Sequence, residues 1–174
     1  KSFSKKDSIQ KFTDSIRTLP PLEIRYVRVN DNSPFAKSNI NAAQIAKLNL
    51  GQDLPFIVQN APSIVANSDA GTGVGYTGIR IRGTDATRIN ITLNGIPYND
   101  AESMGAYFVD LPDFSASANS IQIQRGVGTS TNGSSAFGAT INLATNDYRP
   151  AHYLSFQNSF GSFNTNKNTL QFGT

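Results

Sequence analysis

Residues 71–143 read GTGVGYTGIRIRGTDATRINITLNGIPYNDAESMGAYFVDLPDFSASANSIQIQRGVGTSTNGSSAFGATINL, and this stretch decides the fold. Four short runs in it alternate apolar and polar side chains with the period of two that marks a half-buried strand: Gly78–Arg82, Arg88–Asn94, Ser120–Arg125 and Phe137–Leu143. Two of them end in Arg-Gly, at Arg82-Gly83 and Arg125-Gly126. A third ends in Asn94-Gly95, a strong tight-turn signal. Of the 14 glycines in the chain, 11 lie between Gly71 and Gly138, which predicts a turn-rich sheet there rather than helices.

Four blocks stand out along this stretch. They are Ile79-Arg80-Ile81-Arg82-Gly83, Arg88-Ile89-Asn90-Ile91-Thr92-Leu93-Asn94-Gly95-Ile96-Pro97, Ile121-Gln122-Ile123-Gln124-Arg125-Gly126-Val127-Gly128, and Ser134-Ser135-Ala136-Phe137-Gly138-Ala139-Thr140-Ile141-Asn142-Leu143. In this order and spacing they resemble the plug domain of TonB-dependent outer-membrane receptors. Two positions depart from the family pattern. Asn94 stands where the family usually has Asp, and Val127 follows Arg125-Gly126 where the family usually has Pro. Asn94 puts a polar contact to a surrounding barrel wall in doubt, not the fold.

Composition bounds the alternatives. A chain of 174 residues with 38% hydrophobic and 16% charged side chains can bury a core in one or two domains. It has no cysteine, so neither a disulfide framework nor thiol chemistry is available. No apolar run approaches 18 residues, so no transmembrane helix is expected, and no secretory signal is visible. The net charge of +3 is uneven: residues 1–37 carry eight basic side chains against four acidic ones. No dense basic patch with interleaved aromatics appears, which argues against nucleic-acid binding.

Upstream, Ile9, Phe12 and Ile16 stand at helical spacing in a polar leader that ends at Pro20-Pro21. Leu22-Glu23-Ile24-Arg25-Tyr26-Val27-Arg28-Val29 then alternates with period two. An isolated alternating run after a proline pair is a strand in search of an edge. The family resemblance places a TonB box here, with Leu22, Glu23, Ile24, Arg25, Tyr26 and Val27 pairing with the periplasmic TonB protein. The same run reads equally as the first strand of the plug sheet.

Asn41-Ala42-Ala43-Gln44 is a capping-box pattern, with Ile45 and Leu48 as the buried pair and Gly51 closing the helix. Asp53 is expected to cap a second short helix, Leu54–Asn60, with Pro55 in its first turn. Ala61–Ala66 reads as a short extended piece.

Gly73-Val74-Gly75-Tyr76-Thr77-Gly78 matches G-x-G-x-x-G. Dinucleotide binding needs a helix directly after the glycines, and here a strand follows, so the loop is read as a close backbone approach. Gly126–Gly133 lacks the Lys-Ser/Thr ending of a phosphate loop. Nucleophilic catalysis has no footing: there is no G-x-S-x-G, and His152 is the only histidine. Asp100 and Glu102 have no histidine nearby and no metal-ligand spacing. The expectation is a non-enzymatic protein with no catalytic residues, no metal and no cofactor.

Arg80, Arg82, Arg88 and Arg125 each sit in or beside a strand with apolar neighbours, so each is expected to be partly buried and to need a carboxylate partner. The resemblance makes them docking groups toward the barrel; solvated strand-face charges are the plainer reading. The loop Pro97–Val109 gathers aromatic and acidic side chains between strands. The resemblance implies ligand contacts from Tyr76 and from Tyr98, Asn99, Asp100, Glu102, Met104, Tyr107 and Phe108. The alternative is that Tyr107, Phe108 and Val109 cover the sheet.

After the blocks, Tyr153–Phe160 sets Leu154, Phe156 and Phe160 against Tyr153, Ser155, Gln157 and Ser159. Asn168–Phe172 alternates again. One greasy and one polar face suits a membrane barrel strand, and a sandwich edge has the same pattern. Two such strands cannot close a barrel.

The expected fold is therefore α+β: a small mixed sheet with short helices and glycine-rich loops, followed by the first strands of a transmembrane β-barrel. The expected organisation is a leader with a TonB-box-like strand over 1–37, a plug over 38–148 and barrel strands over 149–174, the chain being the front end of a larger receptor. The resemblance implies energised uptake of a ligand such as siderophore-iron, vitamin B12 or another large nutrient across the outer membrane. In that arrangement the plug sits inside its own barrel with the N-terminus in the periplasm. A free-standing periplasmic binding module of plug fold is the competing reading.

Overall fold

Alternation of apolar and polar residues gives a strand two unlike faces, and the computed structural model assembles these strands into sheets that use both. It describes residues 28–29, 32–129, 136–145 and 151–173. In chain order the strands are β1 Lys37–Asn41, β2 Ile64–Ser68, β3 Thr77–Ile81, β4 Ile89–Leu93, β5 Ile96–Pro97, β6 Ala118–Arg125, β7 Ala139–Thr145, β8 Tyr153–Phe160 and β9 Asn166–Gly173. Two helices, α1 Ala42–Leu48 and α2 Leu54–Val58, lie between β1 and β2.

β1-β6-β7-β4-β5 is the order in the main sheet; β2 pairs with β3, and β8 with β9. β4 runs parallel to β7, with Ile91 opposite Ile141, and the other pairings are antiparallel. The mixed sheet with few short helices is the architecture expected from the sequence. On one face Ile89, Ile91, Ile121, Ile123, Ile141 and Leu143 are buried against Ile45, Leu54, Ile57, Val58, Ile79, Ile81 and Phe108. Each fully buried Ile or Leu side chain stabilises by roughly 1.5–3 kcal/mol relative to exposure. The opposite face carries Asn90, Thr92, Gln122, Gln124, Thr140 and Asn142, and these are buried too.

The turns follow local chemistry. Asn94 and Gly95 both have positive φ, +51° and +86°, and set Leu93 opposite Ile96 in a two-residue hairpin. Phe137 and Gly138 precede β7 instead of opening it. There the Gly138 N–H donates to Arg88 O at 2.8 Å and the Gly126 N–H to Gly138 O at 2.8 Å. The capping box of α1 forms as written in the sequence: Asn41 Oδ1 accepts from Gln44 N at 2.9 Å, and Gln44 Oε1 accepts from Asn41 N at 2.9 Å.

Other local expectations are corrected. The first helix stops at Asn49, whose N–H returns to Ile45 O; Gly51 lies two residues further on. Asp53 does not cap α2 with its side chain, because its carboxylate takes the Thr77 hydroxyl at 2.8 Å. That helix ends at Val58, where the Ala61 N–H turns back to Val58 O. Leu22–Val27, the TonB-box-like run, and the helically spaced Ile9, Phe12 and Ile16 of the leader lie outside the described residues. Arg28 and Val29 are described and are not in a strand; the main sheet begins at Lys37.

The β8–β9 hairpin sets Leu154 opposite Phe172 and Phe156 opposite Leu170. These four side chains and Phe160 are 61–80% exposed. Its other face lies on the body of the fold: Gln171 Nε2 donates to Ala116 O at 2.9 Å, and Lys167 reaches Asp113.

Candidate functional site

Two loops carry the side chains singled out for ligand contact. Asp69–Tyr76 joins β2 to β3 and is closed by the Asp69 N–H on Tyr76 O at 3.1 Å. It is tied to the segment before α2, where the Asp53 N–H donates to Gly73 O at 2.8 Å and Gln52 Nε2 to Thr72 O at 3.1 Å. Gly73 sits at φ +81°, and a Cβ there would meet Gln52 Nε2 at 2.7 Å. The G-x-G-x-x-G run is thus a hairpin loop packed on a neighbouring segment, and β3 follows it where a dinucleotide site needs a helix. Tyr76 is 71% exposed at its end.

The second loop, between β5 and the 3₁₀ turn Phe108–Asp110, is held by its own polar side chains. Asn99 Oδ1 accepts from Ile91 N at 2.7 Å, and its Nδ2 donates to Ile89 O and Met104 O, each at 2.9 Å. An amide side chain here substitutes for strand partners along β4. Asp100 Oδ2 accepts from the N–H of Glu102 and from both N–H and Oγ of Ser103. The hydrogen bonds from Ser103, backbone first, hold the Asp100 carboxyl below its ordinary range. Tyr98 donates its hydroxyl to Tyr107 O at 2.9 Å. Burial, with the Asp110 charge behind it, pushes that phenol up.

The expected contact set therefore divides. Tyr76, Glu102, Met104 and Tyr107 present side chains at the surface. Asn99 and Asp100 shape the loop, with Tyr98 half-buried beneath it. Phe108 is 1% exposed in the hydrophobic core and is withdrawn as a ligand contact. As the largest apolar side chain at the end of this loop, it gains more from burial than from display. Among the described residues no group of His, Cys, Asp and Glu is arranged to hold a metal ion.

The expected carboxylate pairing is not formed by the four arginines. Arg125 is half-buried, Arg80, Arg82 and Arg88 are exposed, and none makes an ion-pair contact among the described residues, although the Arg88 and Arg80 charges reach the Asp85 carboxylate. Arg80 points to the open face of the β2–β3 pair opposite Val65. Arg82 has left the strand at φ +53°, with its N–H on Ser63 O. Its guanidinium lies beside Gly126, where an added Cβ would be 3.1 Å from Nη1. Arg88 stacks over the Phe137 ring at 5.8 Å. Arg125 donates to Ser38 Oγ at 2.8 Å and to Lys37 O at 3.4 Å.

Two contacts escaped sequence reasoning. Lys167 on β9 donates to Asp113 Oδ1 at 2.8 Å and to Asn49 Oδ1 at 2.9 Å. A crevice of about 150 Å³ lies beside it, lined by Asn49, Ser115, Thr169 and Gln171 among others. The buried Ser115 Oγ there has no partner among the described residues. Gln122, on the polar face of the sheet, holds the backbone of Val29. Neither carries a local signal, because the partners are far away in sequence.

Comparison with known proteins fits this geometry. A family model described as the TonB-dependent Receptor Plug Domain matches residues 29–140. No curated protein sequence matches the chain. Among solved structures, the ferric yersiniabactin uptake receptor FyuA from Yersinia pestis superposes with a TM-score of 0.58 at 12% identity, over 79% of this chain and 21% of that one. The siderophore receptor PirA from Acinetobacter baumannii gives 0.56 at 21% identity, over 77% and 21%. FpvA of P. aeruginosa, solved with heterologous pyoverdines, gives 0.61 at 15% identity, over 81% and 18%. At these identities the likeness shows the fold, and the chain spans about a fifth of each of those proteins.

Proposed function

From a chain that belongs to the TonB-dependent receptor plug domain family, we propose that it forms the plug and first barrel strands of an outer-membrane receptor for energised nutrient uptake. The hairpin carries this reading. Its polar face is bonded to the plug body through Lys167 and Gln171, and its apolar face is bare. That is the two-faced pattern of a barrel strand between a wet lumen and lipid. Isolated in water, such a surface is costly and a two-stranded ribbon is marginal.

The exposed Arg80, Arg82 and Arg88 fit the same arrangement. They stand on the outside of the plug, where carboxylates of a surrounding wall would pair with them. An exposed aromatic and thioether surface is offered by Met104 and Tyr107, with Glu102, on one loop, and by Tyr76 on the other. It suits the face of a large organic ligand, such as a siderophore-iron complex or vitamin B12, better than a bare ion. In this reading Leu22–Val27 engages periplasmic TonB and the chain performs no catalysis.

The test is the native protein in an outer-membrane fraction, run on a gel with and without heating. A species several-fold heavier than a 174-residue chain, with heat-modifiable migration, is the expected result. A soluble species of about this length overturns the proposal and leaves a free periplasmic binding module of plug fold.

A further inference from the structure

Buried sheet faces are usually apolar, because an amide or hydroxyl taken out of water must recover its hydrogen bonds. The main sheet here has one apolar face and one that is polar and equally buried. Gln122, at 3% exposure, lies at its centre. Its amide makes four hydrogen bonds. Oε1 accepts from Val29 N at 2.8 Å and from Gln124 Nε2 at 3.1 Å. Nε2 donates to Val29 O at 3.1 Å and to Asn39 Oδ1 at 2.9 Å. That is the full capacity of a primary amide.

The two bonds to Val29 reproduce the exchange of N–H and C=O that a neighbouring strand would offer. Val29, however, lies over the face of the sheet and is itself 6% exposed. Arg28 adds a second tether, donating from Nη2 to Ser120 O at 3.0 Å and to Asn142 O at 3.3 Å.

We infer that Gln122 is a catch: its side-chain amide, with Arg28 beside it, fastens the N-terminal segment to the polar face of the sheet and yields when that segment is pulled. Three observations support release here. Among the described residues the catch consists of side-chain bonds, from Gln122 to Val29 and from Arg28 to Ser120 and Asn142, so these open without unzipping a strand pair. The face beneath is amide and hydroxyl, so wetting it restores hydrogen bonds and exposes no apolar core. Two hydroxyls near it, Ser120 Oγ and Thr140 Oγ1, are buried without partners among the described residues, a cost that solvent entry would remove.

This inference deepens the proposed uptake function in one respect only, the pulling of the N-terminus by TonB. The catch itself can be tested without that reading. Amide hydrogen exchange at Val29 is to be measured in the full-length protein and in the variants Gln122→Leu, Arg28→Ala and Gln124→Leu. Gln122→Leu is expected to raise exchange at Val29 by roughly tenfold or more, the effect of losing two net hydrogen bonds, with Ile141 protection in β7 kept. Should Gln122→Leu unfold the sheet, Arg28→Ala, which leaves the sheet side chains in place, is expected to raise Val29 exchange by itself. Gln124→Leu, which removes only the bond that orients Gln122 Oε1, is expected to raise it by less than Gln122→Leu. Val29 exchange that is insensitive to both Gln122 and Arg28 overturns the catch. The chain has no cysteine, so Val29→Cys is a reporter for maleimide in energised cells. Labelling that rises on energisation supports the catch as the pulled point. A working catch whose labelling ignores energisation overturns its link to TonB and leaves the catch standing.

Discussion

Lys167 Nζ sits 2.8 Å from Asp113 Oδ1, across 54 residues of sequence, and joins the outer hairpin to the body of the plug. Asn49 closes the cluster: its Oδ1 accepts from Lys167 and its Nδ2 donates to Asp113 Oδ1 at 2.9 Å. Asp113 holds φ +47° to make this contact, a left-handed conformation that a non-glycine residue adopts at some cost. The Lys167 side chain is 14% exposed and that of Asp113 34%. The pair is therefore only partly screened by water, and removing one partner strands the other. Lys167→Met is expected to destabilise the docked hairpin by about 1–2 kcal/mol. Asp113→Asn should cost less, since an amide still accepts from Lys167. A double-mutant cycle followed by urea unfolding reads the coupling; additive single effects would sink the idea of a structural link.

Asn99 is expected to govern the shape of the Pro97–Val109 loop rather than its chemistry. Its three hydrogen bonds tie the loop to both Ile89 and Ile91 of β4 and to Met104. Asn99→Ala removes all three, at about 1 kcal/mol each in net terms. Local hydrogen exchange across 98–107 should rise, and ligand affinity should fall through disorder. Glu102→Gln, which keeps the loop framework, should leave that exchange unchanged. If Asn99→Ala leaves both affinity and exchange intact, the loop does not need its amide anchor.

The Asp100 carboxylate gives the same loop a pH dependence. Its folded value is lowered from 3.8 by the Ser103 hydrogen bonds. A depressed carboxylate stabilises the fold above its unfolded value, and that contribution fades as pH falls through the folded value. Loop protection at the Ser103 amide should thus be flat at neutral pH and drop only below about pH 4. Asp100→Asn should remove that acid step while leaving neutral-pH protection partly in place, because an amide oxygen still accepts. A transition centred near neutrality would point to another group.

Much of this fold was legible because its signals are local. The capping box at Asn41 and Gln44, the Asn94-Gly95 hairpin and the alternating blocks each need only neighbouring residues. The errors came where a distant partner outbid the local one. Asp53 reads as a cap until Thr77, 24 residues away, takes its carboxylate. Phe108 reads as a loop aromatic until the core claims it. Arg80 reads as partly buried because its strand neighbours are apolar, but the side of the strand it occupies is open. Gln122 reads as the solvent side of a strand, and only the placement of Val29 reveals its role.

Gly138 offers the most local test of the packing between blocks. An added Cβ would stand 2.0 Å from Thr84 Oγ1, 2.9 Å from Thr84 Cβ and 3.1 Å from the backbone oxygen of Arg88. Its own N–H already donates to that Arg88 oxygen at 2.8 Å, so the strand cannot slide away without losing the bond. Thr84 cannot easily rotate either, since its hydroxyl donates to Ile81 O at 2.7 Å. Gly138→Ala is therefore expected to cost roughly 2–3 kcal/mol by overpacking. Thr84→Gly should lower that cost, because it removes both side-chain clashes and leaves only the 3.1 Å backbone approach. The bond from the Thr84 hydroxyl to Ile81 O is lost in either background containing Thr84→Gly, so the comparison that matters is Gly138→Ala measured with and without that substitution. A smaller penalty in the Thr84→Gly background confirms that the turn after β3 and the entry to β7 are wedged together. An equal penalty in both backgrounds would assign the strain to Arg88 alone.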